Sequence, residues 1–188
     1  MKPIHLALAA ATLAVPAFAQ DTREMGAHVH GVSTAEIAVE HGVVEINIHA
    51  PGMDIVGFEY EATSAQDKDA VEAAIRTMLM PENLVTLPEA AGCRLTEVLA
   101  HVHGGDHDHD KDHAEEDHGH DDHGDEAQHS EFHVTYAYAC ENEDALTTIS
   151  FPFFDQFENA QEIEAQFVTE TAAGQAEVGR GAPDLSLE

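Results

Sequence analysis

The sequence predicts an α+β domain, mainly an antiparallel β-sheet or β-sandwich, with one main helix, one disulfide and a long disordered hairpin loop. Several segments alternate apolar and polar residues with a period of two, which is typical of half-buried strands. Only the segment 67–80 carries apolar residues at clear helical spacing. The segment 101–133 consists almost entirely of His, Asp, Glu and Gly, so it has too few apolar side chains to form a core.

The first element, residues 1–19, has the pattern of a secretory signal peptide. Lys2 supplies positive charge, residues 4–15 are apolar, and residues 17–19 form a small-x-small cleavage site. A membrane anchor is the alternative, but this apolar run is too short to span a bilayer comfortably. We therefore expect residues 20–188 to form a single domain in a bacterial periplasm, with no membrane insertion after signal cleavage.

The next two elements are predicted to form a hairpin. Residues 27–40 alternate, and their polar parity includes His28 and His30. His41-Gly42 favours a tight turn, and the return strand 43–50 directs His49 outward. In the simplest two-residue register, His49 lies opposite Thr34. A further extended segment, 54–62, is expected after Pro51-Gly52.

The remaining elements follow the same rules of periodicity. Residues 67–80 place Val71, Ala74, Ile75, Met78 and Leu79 on one helical face, and Pro81 ends the helix. Near the C-terminus, segments 162–170 and 175–180 are predicted strands, and residues 182–188 an edge strand or a tail.

Cys93 and Cys140 are the only cysteines. An even count in an oxidising compartment favours a disulfide, and a thiolate metal pair is the alternative. If the two cysteines face each other, strands 93–103 and 131–140 pair in antiparallel fashion around the insertion. In that register Leu95 faces Tyr138, Leu99 faces Val134 and His101 faces Phe132.

The charge of the chain limits its partners. The formal net charge is −30, with 15 His. Nucleic acid is excluded as a natural partner and anionic membrane surfaces are disfavoured, because both would repel the protein. Cations are favoured. Carriers of Cu(I) use thioether and thiolate ligands, whereas this chain is rich in imidazole, so a borderline divalent ion is expected.

The His-rich insertion, at about residues 101–130, is the main candidate for metal binding. Imidazole nitrogens and carboxylate oxygens ligate Zn²⁺, and imidazole also suits Ni²⁺, Cu²⁺ and Co²⁺. An acidic run that only solubilises the chain is the alternative, but solubility requires no imidazole. The candidate ligands in the insertion and at its rim are His101, His103, His107, His109, His113, His118, His120, His123, His129 and His133.

A structured site outside the insertion is also predicted. On a strand, His28 and His30 would point to one face and could bind one ion. His49 and Glu59 are candidate third and fourth ligands, although a bulge or a later strand is needed to bring His49 close to His30.

Catalytic motifs are not found in the sequence. It contains no H-E-x-x-H helix, no Gly-x-Ser-x-Gly and no phosphate-binding glycine loop. We therefore do not expect an enzyme.

Most of residues 26–160 resemble the ZrgA-like periplasmic zinc-binding proteins. The similarity lies in GAHVHGVSTAEIAVE, INIHAPGMDIVGFEYEA, LPEAAGCRLTEV, the His/Asp/Glu insertion, FHVTYAYACEN and ISFPFFDQF. The resemblance implies a zinc-binding component that serves a zinc ABC importer and is induced when zinc is scarce. It makes His28, His30, His49 and the rim and insertion histidines the candidate ligands.

The expected function is capture of Zn(II) as cargo and its delivery to the components of a zinc ABC importer. Two alternatives remain open at this point. One is a periplasmic metal buffer or resistance protein without a transporter partner. The other is a zinc metallohydrolase, which would need three fixed ligands and an open coordination position.

Overall fold

The structure, a computed structural model, describes residues 29–104 and 129–187. The predicted signal peptide and part of the insertion lie outside these ranges. The candidate ligands outside the described residues are His28, His107, His109, His113, His118, His120 and His123.

The described residues form strands and a few helices. The strands are β1 (Val32–Glu40), β2 (Val43–Pro51), β3 (Arg94–His103), β4 (Glu131–Ala139), β5 (Thr148–Ser150), β6 (Glu162–Val168), β7 (Ala173–Gly179) and β8 (Asp184–Ser186). The α-helices are α1 (Gly52–Ile55), α2 (Ala65–Met78) and α3 (Phe153–Gln156), and short 3-10 turns occupy Pro81–Asn83, Glu89–Ala91 and Glu143–Ala145.

Six strands form one sheet in the order β3-β4-β2-β1-β6-β7, and β5 pairs with β8 in a second, two-stranded sheet. All neighbours in the large sheet are antiparallel except β1 and β6, which run parallel. Helix α2 has 14 residues, whereas α1 and α3 have four each. The predicted class, a mainly antiparallel β fold with one main helix and one disulfide, is confirmed.

The large sheet buries one face and leaves the other open. Alternation along β1, β2 and β4 directs residues such as Ile37, Ile46 and Tyr136 into a core that α2 and the Phe-rich segment around α3 cover. The Tyr136 hydroxyl donates a hydrogen bond of 2.6 Å to the Met78 carbonyl and ties the sheet to the end of α2. The opposite, outer face carries polar side chains, including Glu36, Glu40, Glu45, Glu164 and Glu177.

Helix α2 begins directly after an N-cap residue, Ser64. The Ser64 hydroxyl accepts a hydrogen bond from the Asp67 backbone N–H at 3.1 Å, as an N-cap should. Ala74 and Met78 are buried against the sheet. Leu79, which was predicted on the buried face, is exposed; it is the cap residue that follows the last helical residue, Met78.

Cys93 and Cys140 form the predicted disulfide. Beyond it, β3 and β4 pair as an antiparallel hairpin, and Leu95 lies opposite Tyr138 as predicted. The predicted pairs Leu99–Val134 and His101–Phe132 are wrong. The observed pairs are instead Leu99–Thr135, Ala100–Val134 and His101–His133.

A β-bulge at Thr96 causes this difference. The register shifts between Leu95 and Glu97, and the Thr96 hydroxyl donates to the Ala137 carbonyl at 3.0 Å. One extra residue in a strand moves the side chain of every later residue in that strand to the opposite side of the sheet from the one predicted without it. Val98 therefore packs against the core and Leu99 is exposed.

Two local predictions near the N-terminus are also wrong. Strand β1 begins at Val32, so His30 lies in a turn, which the Val32 N–H closes on the Val29 carbonyl at 3.0 Å. The start of the segment predicted to be extended after Pro51-Gly52 forms α1 instead. Within the described residues, no helix is long and apolar enough to cross a bilayer.

Candidate metal centre

Histidines from three adjacent strands meet on the outer face of the sheet. His49 on β2 lies directly opposite His133 on β4, and His133 lies directly opposite His101 on β3. Directly paired residues on neighbouring strands point to the same face, so the three imidazoles share one surface. His103, two residues beyond His101, points to the same side.

The rings of this group lie close together around His133. The His49 and His133 rings stack, with centroids 4.2 Å apart and planes 10° apart. The centroids of His101 and His103 lie 5.1 Å and 5.6 Å from that of His133. Four predicted ligands from three different strands therefore form one cluster.

Glu131 adds a carboxylate to the cluster. Its Oε2 lies 2.5 Å from His133 Nε2, and both side chains are partly buried. One ligand atom from each of His49, Glu131 and His133 can be chosen so that all three lie within 4.8 Å of one another. Two donors on one tetrahedral zinc are about 3.3 Å apart, so these side chains would have to rotate for the three atoms to bind one ion.

Sequence reasoning missed Glu131. The signal that could have identified it is its position two residues before His133 on a predicted strand, because that spacing places both side chains on one face. We name the group formed by His49, His101, His103, Glu131 and His133 the sheet-face cluster.

The surroundings of His101 favour its metal-binding form. Burial lowers the pKa of His101, and the neighbouring His133 and His103 lower it further. A lowered pKa keeps the imidazole neutral to more acidic pH, and only the neutral imidazole ligates metal. Acid should weaken binding at this cluster, because protons compete with the ion for the same nitrogens.

Three other predicted ligands form a separate group. His30 Nε2 lies 3.1 Å from Glu59 Oε1, and His129 Nδ1 lies 2.7 Å from Glu59 Oε2. The sequence placed His30 and His49 in one site, but the structure brings His49 to His133 and His30 to Glu59. We name His30, Glu59 and His129 the turn cluster.

The cysteines are not ligands. Cys93 and Cys140 are bonded to each other, and the described residues contain no free cysteine. The alternative of a thiolate metal pair is therefore wrong, and imidazole and carboxylate groups are the donors that both clusters offer.

A sheet that gathers imidazoles and a carboxylate on its open face defines a candidate binding protein for a borderline divalent metal ion. The sequence model of the ZrgA family, described as zinc uptake proteins, matches residues 27–187. This match spans most of the chain, so the chain belongs to the ZrgA family of zinc uptake proteins. A search among curated proteins gives no match. The family predicted from residues 26–160 is confirmed, and the similarity extends through β6, β7 and β8.

Proposed function

We propose that this protein is a non-enzymatic periplasmic carrier that captures Zn(II) and delivers it to a zinc ABC importer. The family supports a role in zinc uptake. The observation that carries the proposal is the sheet-face cluster, in which His49, Glu131 and His133 offer donor atoms within 4.8 Å of one another. Two imidazoles and a carboxylate are a common protein ligand set for Zn²⁺.

Strand pairing would favour tight binding of an ion at the cluster. The backbone ladders of β2, β3 and β4 hold the residues that carry the imidazoles side by side, so less conformational entropy would be lost when the ion binds than at a site on a flexible chain. His49, Glu131 and His133 would bind first, and His101 or His103 would complete the coordination from the neighbouring strand.

The location of the cluster supports a route from the insertion to the fold. The insertion leaves the sheet after His103, at the end of β3, and the chain re-enters the sheet at Glu131, at the start of β4. Both residues belong to the cluster. Zinc ions captured by the imidazoles of the insertion would therefore be released next to the folded site, whose outer-face position leaves the ion accessible to a partner.

Zinc binding by purified protein tests the site. The protein and the H49A/H133A variant are dialysed against the same buffered free Zn²⁺, and bound metal is counted. We expect the variant to bind about one zinc fewer per chain at the lowest free concentration that fills the site. H41N is the matched control, because His41 is an exposed turn histidine at positive φ, which Asn tolerates. An unchanged count in H49A/H133A would reject the site.

Growth tests the delivery step. A strain that lacks the gene should grow poorly when zinc is chelated, and the wild-type gene should restore growth better than the H49A/H133A gene. A periplasmic buffer without a transporter partner would instead make the deletion strain sensitive to excess zinc. That outcome would replace delivery with storage while leaving the metal site intact.

A further inference from the structure

Glu59 is a buried carboxylate. Its side chain is 7 % exposed, and its ion pairs within residues 29–104 and 129–187 are with histidine alone. Oε1 lies 3.1 Å from His30 Nε2 but is not aligned with it as a hydrogen bond, so this oxygen has no hydrogen-bond donor among the described residues. A buried charge without a full set of partners is unfavourable, and a bound cation would compensate it.

Two imidazoles flank this carboxylate, one on each oxygen. His30 faces Oε1 and His129 faces Oε2, and the two histidine side chains are 58 % and 59 % exposed. The buried acid is fixed while the exposed imidazoles are free to rotate. The N···O separations are 3.1 Å at His30 and 2.7 Å at His129, near the roughly 3.3 Å between two donors on a tetrahedral zinc. The three donor atoms do not all lie within 4.8 Å of one another, so the two exposed imidazoles would have to rotate toward each other to bind one ion.

The backbone around the turn cluster is held in place by hydrogen bonds. The Gly31 N–H donates to Asp54 Oδ1 at 2.7 Å, which fixes the turn that carries His30. The Ser130 N–H donates to the Glu59 carbonyl at 2.9 Å, which fixes the chain next to His129. Buried Asp54 is also close enough to interact electrostatically with Glu59 and His30, so a second carboxyl group lies near the turn cluster.

We propose that His30, Glu59 and His129 form a second metal site, which takes one borderline divalent cation of the zinc class. Glu59 supplies the negative charge and a carboxylate oxygen, and His30 and His129 each supply one imidazole nitrogen. Water completes the coordination on the exposed side. The site shares no ligand with the sheet-face cluster and does not depend on it. It joins the turn before β1 to the residues just before β4.

Paired variants test this proposal. The purified full chain is compared with H30A/H129A, with H49A/H133A and with the variant carrying all four changes, each dialysed against the same series of buffered free Zn²⁺. The insertion is present in every variant, so its contribution cancels. We expect each double variant to bind about one zinc fewer per chain, and the fourfold variant about two fewer. H41N serves as the control for loss of an imidazole outside both clusters.

Each failure has a distinct pattern. If H30A/H129A loses stability in urea but keeps the wild-type zinc count, the turn cluster is only a structural contact and the proposal is overturned. If all three variants lose the same single zinc, the two clusters share one ion and there is no second site. If only H30A/H129A loses zinc, the turn site stands and the sheet-face site of the proposed function fails.

The substitution E59Q supplies a check that is independent of the histidines. It keeps the size of the side chain and the Glu59 carbonyl that accepts the Ser130 N–H, but it removes the charge. We expect the same loss of about one zinc, with an unfolding midpoint that is not lower than that of the wild type. A wild-type zinc count in folded E59Q would overturn the assignment of Glu59 as the charged ligand.

Discussion

His133 is the residue around which the sheet-face cluster is arranged. It lies opposite a histidine on each neighbouring strand, stacks on His49 and contacts the carboxylate of Glu131. Glu131 therefore has two roles available to it. It can bind the ion directly, and it can orient the His133 ring, as carboxylates next to ligand histidines commonly do.

The role of Glu131 gives a prediction at this scale. The E131Q substitution removes a negative charge and weakens the contact to His133, so zinc affinity at the sheet-face cluster should fall about 10- to 100-fold. Competition with a zinc-binding dye measures the change. E177Q is the matched control, since Glu177 lies on the same outer face but on β7, at the opposite edge of the sheet. Equal affinities of E131Q and E177Q would exclude a metal role for Glu131.

The strand β3 determines where two of the imidazoles point. Before the bulge at Thr96, Leu95 pairs with Tyr138, and after it Val98 pairs with Tyr136, so both apolar residues face the core side. The bulge allows the alternating segment that ends in His101 and His103 to keep its histidines on the outer face. Without a change of parity, the same strand would direct His101 into the core.

Deletion of Thr96 and deletion of Val98 should lower the free energy of unfolding by different amounts. Removing Thr96 leaves the pairs Leu95–Tyr138 and Val98–Tyr136 in a regular ladder, so the loss should be about 1 kcal/mol for one hydrogen bond. Zinc binding should be retained. Removing Val98 forces either Glu97 or His101 into the core, and the free energy of unfolding should fall by several kcal/mol. Urea unfolding measures both, and equal losses would contradict the role of the bulge.

Much of this arrangement was predictable from alternation, and the remainder was not. The pair Thr34–His49 follows from a two-residue turn and an uninterrupted ladder, and it is observed. The pair His101–His133 depends on the extra residue at the Thr96 bulge. Strand β3 has apolar residues at both odd and even positions, so alternation alone does not predict which of them face the core. Alternation predicts a strand at His30, because the alternating pattern continues into the turn that precedes Val32.

At the scale of the whole molecule, the disulfide and three histidines of the sheet-face cluster lie at opposite ends of the same hairpin. Cys93 and Cys140 lie at the beginning of β3 and the end of β4, and His101, His103 and His133 lie where β3 ends and β4 begins. The disulfide thus constrains the chain on either side of the insertion without touching a ligand. Its contribution should be to stability and not to the metal site.

Replacing both cysteines tests this separation. The bond links residues 47 positions apart, so C93S/C140S should lower the free energy of unfolding by about 4 kcal/mol on the chain-entropy model. Zinc affinity of the folded variant should stay within about twofold of the wild type, because no ligand moves. Denaturant unfolding and zinc titration measure the two quantities. A large loss of affinity in folded protein would show that the hairpin end and the site are coupled.

The acidic residues of the open face influence how fast an ion arrives. Glu36, Glu45 and Glu164 lie on strands of the same sheet that carries the imidazoles, within a chain of net charge −30. Such a surface raises the local concentration of cations and accelerates their encounter with the protein, and dissolved salt screens the effect. The association rate constant for zinc should therefore be high at low ionic strength and fall as ionic strength increases. This should hold even if the intrinsic affinity of the ligand residues for zinc does not change.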